Sequence, residues 1–484
     1  MIRNIVYLTN DRVRYKNEFR ILVNMEYTEK EINAVKYACY ISGFIAPLLS
    51  TMMNLSLVNI GEEFGTGSHD LAYVNSAFLL TSVIFMVPLA KLQDIIGKKK
   101  LFVIGLLIIC MGCIIGSLAP SFWFVVIARS IIGIGASALA VVSVAILTDV
   151  IPLNKRGATM GLQIMFIYIG LALGPAIGGT LNDLIGWRLL FLIVIPMAII
   201  SIIIMLRGFK GEIANDKGGI FDFKGSVVYG MAILLSMAGV MNMPQTWAFA
   251  SLVAGLLFLV LFIWMQLHNE HCLLEIRLFR IKVFSGSCIA TFMSYAASYS
   301  MSFFMALYLQ SIGGLTATEA GLFMIIQPVI QCICSPFWGR MTDKIQNKTI
   351  LPTVGMAITG VGVLSVAFYD IDTPFYFIVM TMVCVGAGFA MFSAPNTFLI
   401  MSSVPKEYTG EASGVMAVMR QTGMMVSMGI AMLYISLIMG STDNLSEDTY
   451  DLFTEVLWYS FITCFIMCVI GALTSAFRGA PKNC

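Results

Sequence analysis

The sequence predicts an all-α integral membrane protein, and three observations lead to this prediction. The chain has 484 residues, of which 58% are hydrophobic and 12% are charged, about half the charged fraction of a soluble protein. Its apolar residues come in runs of about 20, the length that crosses the hydrocarbon core of a bilayer. Its net charge of +2 supplies no basic surface for nucleic acid. A soluble enzyme, a disordered chain and a nucleic-acid-binding protein are therefore excluded.

Fourteen apolar segments are long enough to span a membrane. They run near 38–60, 71–90, 101–118, 122–148, 158–181, 188–206, 225–243, 247–267, 284–309, 317–338, 350–369, 375–401, 412–437 and 454–476. We expect helices because backbone groups have no water to bind in the membrane and must pair within each segment. A membrane barrel would instead show alternating segments of about ten residues.

The basic residues predict the orientation of these spans. If both termini are cytoplasmic, 26 of the 29 Lys and Arg residues lie in inner segments, as the positive-inside rule requires. Arg188 falls outside, whereas Arg129 and Arg420 fall within spans. The pattern predicts a multi-pass protein of the plasma membrane with both termini in the cytoplasm.

An internal duplication organises the chain. Six Gly or Pro residues recur 253 positions later, among them Gly133 with Gly386 and Gly157 with Gly410. Gly-rich helices can match by accident, but here the loops match too, and parallel repeats are typical of transporters. We therefore expect two six-helix bundles joined by an inserted helical pair. The predicted boundaries are an N-terminal tail (1–37), a first bundle (38–208), a central linker with two extra spans (209–280), a second bundle (281–477) and a C-terminal tail (478–484).

The loop after the second span reads AKLQDIIGKKK over residues 90–100. It resembles the loop signature G-x-L-x-D-R-x-G-R-K of the major facilitator superfamily, with Ala90 at the first Gly and Ile95 at the Arg. The resemblance implies that Asp94 caps a helix of the other half, where helix dipole and unpaired N–H groups favour a carboxylate. The second half carries a shorter copy. The predicted cytoplasmic gate loops therefore comprise Asp94, Gly97, Lys98, Gly339, Arg340 and Asp343.

The fifth span reads GLALGPAIGG over residues 170–179. It matches G-x-x-x-G-P-x-x-G-G, a signature that resembles an antiporter marker within that superfamily. Glycines every four residues form one smooth face, which a second helix can approach closely. Generic small-residue packing explains the glycines but less of the whole string. The implied hinge residues are Gly170, Gly174, Pro175, Gly178 and Gly179.

Two arginines lie within spans and are candidates for the transport pathway. Arg129 opens the string RSIIGIGA, which resembles the family signature R-x-x-Q-G-x-G-A, and Arg420 lies in the thirteenth span. A guanidinium within a membrane normally faces the protein interior or water and serves function. The alternative for each is a snorkelling or hydrogen-bonded structural arginine. Their repeat counterparts are Met382 and Ile167, so the packing of the repeat does not demand either charge.

The first span resembles the pattern L-D-x-T-x-x-N-x-A-L-P of fourteen-helix drug:proton antiporters. Thr51 and Asn54 match, but Leu49 stands at the family's candidate proton carrier. None of the 27 acidic residues falls at the centre of a predicted span. Substrate or coupling residues are therefore expected among polar and basic side chains, namely Asn54, Gln163, Asn396, Arg129 and Arg420. Each amide can alternatively serve as an interhelical hydrogen bond.

The resemblance implies a secondary transporter that exports small amphipathic or drug-like molecules by alternating access, in exchange for protons. One alternative is a transporter of similar fold for an anionic or neutral metabolite, without carboxylate-based coupling. A polytopic membrane enzyme would need clustered His or carboxylates at one depth, which the 3 His do not supply. We expect a monomer in the lipid bilayer with a small-molecule substrate and protons as partners, no nucleic acid, no ATP, no cofactor and no metal.

Overall fold

The computed structural model describes residues 27–65, 68–241, 245–269, 272–315, 317–439 and 450–479, and the regular structure of these ranges is helical. The first half comprises α1 Glu29–Phe64, α2 Ser68–Ile96, α3 Lys98–Ser117, α4 Phe122–Val150, α5 Leu153–Ile185 and α6 Trp187–Gly208. The inserted pair is α7 Phe223–Met241 and α8 Thr246–His268. The second half comprises α9 Lys282–Ser298, α10 Ser300–Leu307, α11 Ala317–Lys344, α12 Ile350–Val366, α13 Phe375–Ser403, α14 Thr409–Ile438 and α15 Tyr450–Phe477.

These helices account for the fourteen predicted spans. Within the described ranges, 12 helices are long and apolar enough to cross a membrane. The eleventh predicted span is the shorter apolar helix α12, of 17 residues. The ninth is built from pieces, because α9 is interrupted at Tyr299 and continues as α10 and a π-helical turn over Tyr308–Ile312.

The first helix begins at Glu29, whereas the apolar pattern placed the first span from residue 38. A capping box explains the earlier start: the Glu31 N–H donates to Thr28 Oγ1 at 3.4 Å, and the Thr28 N–H donates to Glu31 Oε2 at 3.1 Å. This exchange satisfies two backbone donors at the helix start, so the polar first turns remain helical without burial.

The helices form two bundles of six spans with an inserted hairpin. In the first bundle α1 packs on α5 and α6, and α4 packs on α2 and α3. In the second, α13 packs on α11 and α12, and α9 packs on α14 and α15. The bundles meet where α5 lies against α11 and where α2 lies against α14.

Equivalent glycines make equivalent contacts in the two halves. A Cβ on Gly135 would lie 2.6 Å from the carbonyl oxygen of Gly105, so α3 and α4 pack at backbone distance. A Cβ on Gly388 would lie 2.8 Å from the carbonyl oxygen of Gly355, which joins α12 and α13 in the same way. The duplication read from the sequence thus corresponds to a repeated helix-packing geometry.

The inserted hairpin contacts both bundles along one side and leaves its other side exposed. Tyr229 and Met237 of α7 share an apolar cluster with Met86 of α2 and Met416 of α14. By contrast, the exposed fractions of Leu257 and Val260 on α8 are 65% and 64%. An apolar helix with so much exposed surface is suited to contact with lipid chains rather than with water.

Candidate functional site

The two bundles are joined at one end, which we call the basic side because it carries Lys98, Lys155 and Arg340. The positive-inside pattern predicts that this side is cytoplasmic. At its second-half edge, Asp343 at the end of α11 accepts hydrogen bonds from the N–H groups of Gly157 at 3.0 Å and Ala158 at 2.9 Å. Both donors lie in the second turn of α5, near the positive end of the helix dipole, which favours a carboxylate. Asp343 thus caps a helix of the other half.

Two glycines allow this edge to close. A Cβ on Gly157 would lie 2.6 Å from the carbonyl oxygen of Gly339, and a Cβ on Gly161 would lie 2.7 Å from that of Ser335. The backbones of α5 and α11 therefore touch across the bundle boundary. Arg340 is exposed at the same edge.

The first-half edge has a related arrangement with different chemistry. The carboxylate of Asp94 lies against Gly410 in the first turn of α14, too close to leave room for a Cβ there. Asn215 Nδ2 donates to Asp94 Oδ1 at 3.2 Å. One turn further along α14, Gly414 accommodates the methyl group of Ala90.

The sequence placed both aspartates in loops, which is wrong for this structure. Asp94 lies in the last turn of α2 and Asp343 in the last turn of α11. The apolar neighbours of Asp94 continue the helix to Ile96, and the chain leaves it at Gly97, whose φ is 109°. A side chain disfavours that conformation, so glycine ends the helix at this point.

Lys98 is completely buried and forms the centre of a polar cluster at the first-half edge. Its Nζ contacts Asp149 at the end of α4, lies 3.6 Å from Asp94 Oδ1 and donates to Thr409 Oγ1 at 3.0 Å. A buried ammonium group is tolerated when carboxylates and hydroxyls satisfy it. The family signature has an Arg where this chain has Ile95, and Lys98 supplies a cation at this edge instead. Sequence reasoning did not assign Asp149 or Thr409 to this site.

A second ion pair crosses the same edge. Lys91 Nζ lies 3.7 Å from Glu411 of α14 and 3.0 Å from Asp216 of the linker that follows α6. Glu411 is 4% exposed, and its carboxylate also accepts a hydrogen bond from the Glu275 N–H at 2.7 Å. The sequence offers one signal for this pair. Lys91 lies in the signature that follows the second predicted span, and Glu411 lies at the start of the thirteenth span, which matches the fifth span in the duplication.

The linker between α6 and α7 completes the first-half edge. Asn215 Nδ2 donates to Asp94 and also to the carbonyl oxygen of Lys406 at 3.0 Å, so one amide contacts both halves. Glu212 accepts hydrogen bonds from the N–H groups of Lys99 at 2.8 Å and Lys100 at 3.2 Å and thereby caps α3. The sequence identified this segment as a connection and missed these contacts.

The motif of the fifth span packs α5 onto α1. A Cβ on Gly170 would lie 2.6 Å from the Phe44 carbonyl oxygen, and one on Gly178 would lie 2.8 Å from Met52 Cα. A Cβ on Gly174 would overlap Thr51 of the first-span pattern. The two motifs therefore contact each other. The packing of Pro175, Gly179 and Asn54 lies outside what the structure describes.

Arg129 lies inside the first bundle. Its side chain is fully buried, its guanidinium carbon lies 4.7 Å from the ring centroid of Phe78, and its Nε donates to the Val74 carbonyl oxygen at 3.4 Å. Phe78 and Val74 belong to α2, so this arginine joins α4 to α2. Leu49, at the position of the family's proton carrier, is 1% exposed within the apolar core of the same bundle.

The two candidate amides lie inside the bundles. Gln163 is 4% exposed and lies against Gly43 of α1. Asn396 Nδ2 donates to Thr291 Oγ1 at 2.8 Å, and its Oδ1 accepts from Arg478. Burial lowers the pKa of Arg478, just beyond the last span, to about 9. Asn396 thus makes the interhelical hydrogen bonds that were its alternative role, whereas the buried Oε1 of Gln163 accepts no hydrogen bond from a described residue.

Arg420 lies at the boundary between the bundles, beside an aromatic cluster. The rings of Tyr168 and Phe389 lie 6.4 Å apart at 75°, and those of Tyr295 and Phe389 lie 5.0 Å apart at 90°. Arg420 is close enough to act electrostatically on the Tyr168 hydroxyl. That hydroxyl is buried and forms no hydrogen bond with a described residue, although Ser393 lies beside it.

These four side chains come from α5, α9, α13 and α14, and each lies near the middle of its span. The cluster therefore lies near the membrane midplane, at the interface between the two repeats. Sequence reasoning found Arg420 but not the rings, because 33 Phe and 17 Tyr are spread along the chain without a distinguishing pattern.

A salt bridge lies at the opposite end of the first bundle. Glu63 accepts hydrogen bonds from Arg188 Nη1 at 2.6 Å and from Trp187 Nε1 at 2.8 Å. Both hydrogen bonds lower the pKa of Glu63, and the one from Arg188 has the largest effect. The guanidinium carbon of Arg188 also lies 4.3 Å from the ring centroid of Trp187. Arg188, the single basic residue predicted outside, thus joins the ends of α1 and α6.

Comparison with known proteins agrees with this architecture. The chain is 25% identical over 377 residues to the riboflavin transporter RibZ of Clostridioides difficile, covering 78% of this chain and 82% of RibZ. It is 26% identical over 393 residues to the multidrug resistance protein Stp of Mycobacterium tuberculosis, covering 80% of this chain and 73% of Stp.

Two solved structures share the fold. The proton:xylose symporter XylE superposes with a TM-score of 0.67 at 16% identity, covering 92% of this chain and 95% of that one. The human organic anion transporter MFSD10 gives a TM-score of 0.65 at 12% identity, covering 91% and 100%. The family model described as Major Facilitator Superfamily matches residues 39–278 and 287–483. The chain therefore belongs to the Major Facilitator Superfamily and is a secondary transporter rather than an enzyme.

Proposed function

We propose that this transporter exports small amphipathic, drug-like molecules across the plasma membrane in exchange for protons, as fourteen-helix drug:proton antiporters do. Both termini would lie in the cytoplasm, which makes the basic side the cytoplasmic side. The multidrug resistance protein Stp, one of the similar proteins, supports the substrate class.

The observation that carries the proposal is the pair of interlocked edges on the basic side. Asp343 caps α5 across the bundle boundary, and Asp94 lies against α14 at the equivalent place. Both contacts join opposite bundles and would have to break for the cytoplasmic side to open. Two bundles that close at one end around a central site provide the geometry that alternating access requires.

The substrate would bind at the midplane cluster of Tyr168, Tyr295, Phe389 and Arg420. Aromatic rings offer apolar surface, and Arg420 and the Tyr168 hydroxyl offer hydrogen-bond donors. Such a site suits the amphipathic molecules proposed here. Arg129 would act from within the first bundle, by holding α4 against α2 while the bundles move.

The antiporter-type motif supports exchange of substrate for protons. Its glycines bring α5 onto α1 at backbone distance, and Gly174 meets Thr51 of the drug:proton pattern. Close small-residue packing gives the smooth contact on which α5 could pivot. Gly174, Gly178 and Pro175 are the proposed hinge residues.

The second candidate is a transporter of anionic or neutral metabolites without carboxylate-based proton coupling. Leu49, buried in the apolar core, supports it, because the first span then lacks its titratable group. Arg420 at the midplane also favours anions and neutral molecules over cations. The similar protein RibZ is a riboflavin transporter, which supports a metabolite as the substrate.

Transport into inverted membrane vesicles separates the two candidates. Vesicles containing the protein take up a fluorescent amphipathic compound while a proton gradient is maintained, and a protonophore then collapses the gradient. The antiport proposal requires uptake against a concentration gradient to stop after collapse. Unchanged accumulation would contradict it, and passive equilibration of an anionic compound would favour the second candidate.

Two variants test the assigned positions. Arg129→Ala is expected to reduce transport, and unaltered transport would remove Arg129 from the mechanism. Leu49→Asp is expected to alter coupling or cation transport if this position is the lost carrier position. Thermal unfolding of each purified variant establishes that a change in transport does not reflect a failure to fold.

A further inference from the structure

A cleft of about 330 Å³ opens on the basic side between the two bundles. It is lined by Lys36, Tyr37 and Tyr40 of α1, by Lys155 and Thr159 of α5 and by Arg340 of α11. The volume is that of a small-molecule site. The cleft lies outside the midplane cluster and takes no part in the proposed transport chemistry.

The lining is strongly cationic. Lys36, Lys155 and Arg340 come from three helices, and no carboxylate lines the cleft within the described ranges. Asp343 lies one helical turn after Arg340, and its carboxylate already accepts hydrogen bonds from the N–H groups of Gly157 and Ala158. Glu29 lies near Lys36 and lines an adjacent recess that shares Lys36 and Lys155 with the cleft. Three cations around a space of this size therefore favour an anion.

Tyr40, whose hydroxyl is buried, lines the same cleft. Tyr40 is 5% exposed, and its ring stacks on Phe166 with centroids 5.2 Å apart and planes at 12°. This stacking holds the ring in place. The hydroxyl forms no hydrogen bond with any described residue, although Thr159 lies beside it. Burial of a hydroxyl without a hydrogen-bond partner costs free energy. A ligand that accepts a hydrogen bond from this hydroxyl would remove that cost.

We propose that this cleft binds the phosphate group of an anionic phospholipid from the adjacent leaflet. Phosphate oxygens accept hydrogen bonds from ammonium, guanidinium and phenol donors together. Basic pockets between transmembrane helices on the cytoplasmic side are recognised by such head groups. Tyr37 lines the cleft and is 60% exposed, so the cleft continues onto a surface that an interfacial lipid can reach.

The bound phosphate would also connect the bundles. Lys36 and Lys155 belong to the first bundle and Arg340 to the second, so one phosphate contacting all three adds a bridge to the edge that Asp343 caps. Binding would favour the closed basic side. This inference does not depend on the direction of transport or on proton coupling.

Thermal unfolding of the full-length protein in a neutral detergent tests the proposal. Phosphatidylglycerol, phosphatidylcholine and inorganic phosphate are titrated separately, since a ligand that binds the folded state raises the unfolding temperature. We expect a saturable increase with phosphatidylglycerol and none with phosphatidylcholine. Saturation by inorganic phosphate alone would keep the anion site but overturn the lipid source. No increase with any of the three would overturn the site.

Variants assign the effect to the cleft. Arg340→Gln and Lys155→Gln are each expected to weaken phosphatidylglycerol binding about fivefold, the effect of about one interfacial charge. Tyr40→Phe keeps the stacked ring and removes the hydroxyl, and we expect several-fold weakening. Lys224→Gln, at an exposed position on α7, removes the same charge elsewhere and is expected to leave binding unchanged. Equal weakening by Lys224→Gln and Arg340→Gln would show a general charge effect and overturn the proposal.

Discussion

The carboxylate of Asp343 accepts hydrogen bonds from the N–H groups of Gly157 and Ala158 across the boundary between the two bundles. Asp343 closes the second-half edge with one side chain and two backbone donors. Its repeat counterpart, Asp94, closes the first-half edge together with the buried Lys98, Asp149 and a linker amide. The two halves therefore use the same acidic position with different partners.

Asp343→Ala is expected to destabilise the closed basic side. The substitution removes two charge-assisted hydrogen bonds. Each loss costs about 1.5–3 kcal/mol if the N–H donor is left without a partner, and less if water takes the place of the carboxylate. The measurement is the rate of maleimide labelling of a cysteine placed at Ser335, inside the closed edge, in a background without the native cysteines. We expect faster labelling than in the parent protein. Lys344→Ala, at the neighbouring exposed position, is the comparison, and equal labelling of parent and Asp343→Ala would contradict the capping role.

Lys98→Met is expected to reduce stability by about 3–5 kcal/mol, because it leaves buried carboxylates without their cation. Adding Asp149→Asn to Lys98→Met should recover part of the loss, since the double variant removes one of the uncompensated charges. Thermal or urea unfolding of both purified variants measures the difference. A double variant less stable than Lys98→Met would contradict a direct pairing of Lys98 with Asp149.

Gly174→Ala is expected to impair both folding and transport, because the added methyl group overlaps Thr51 on α1. Overpacking in a close contact typically costs about 1–3 kcal/mol. Thr51→Ala removes Oγ1, the nearest atom, and leaves Cβ at 2.7 Å, so the pair of substitutions should be closer to the parent protein than Gly174→Ala alone without matching it. Unfolding temperature and vesicle uptake report the two effects. Gly321→Ala is the control, because a Cβ there meets no atom within 4 Å.

The Glu63–Arg188 pair predicts a small pH dependence of stability. Its hydrogen bonds lower the pKa of Glu63 from its ordinary value of 4.5, so the pair stabilises the folded state at neutral pH. That contribution is lost as pH falls below 4.5 and through the lowered value. Glu63 is 42% exposed, so water screens the pair and we expect less than about 1 kcal/mol. Comparing unfolding of the parent and Glu63→Gln across pH measures it, and a constant difference down to acid pH would contradict the assignment.

Much of the architecture follows from local sequence properties. Apolar run length predicts the spans, since helices are required wherever water is absent. Glycine spacing predicts that α5 packs closely on another helix, and the contacts with Phe44 and Met52 identify that helix as α1. Capping of a helix in the other half was implied for Asp94, which lies against the start of α14, whereas the hydrogen bonds to helix N–H groups of the other half are those of Asp343.

The remaining features depend on how distant segments meet. Lys98 and Asp149 are separated by 51 positions, and their pairing requires the start of α3 to lie beside the end of α4. Asn215 belongs to a polar connection whose composition does not distinguish a solvated loop from one that contacts both halves. Asn396 was grouped with pathway residues because it is polar and lies within a span, yet its partner Arg478 is 82 residues away.

The contrast between the two closed edges has a consequence for the order of movement. The second-half edge is held by two backbone N–H groups that donate to one carboxylate. The first-half edge is held by a cluster of buried charged side chains that the linker contacts. Water can replace a carboxylate at a helix end with little reorganisation, whereas buried charges must be solvated together. The second-half edge should therefore separate first, and the first-half edge, which the linker holds, should separate last and limit the rate of each opening.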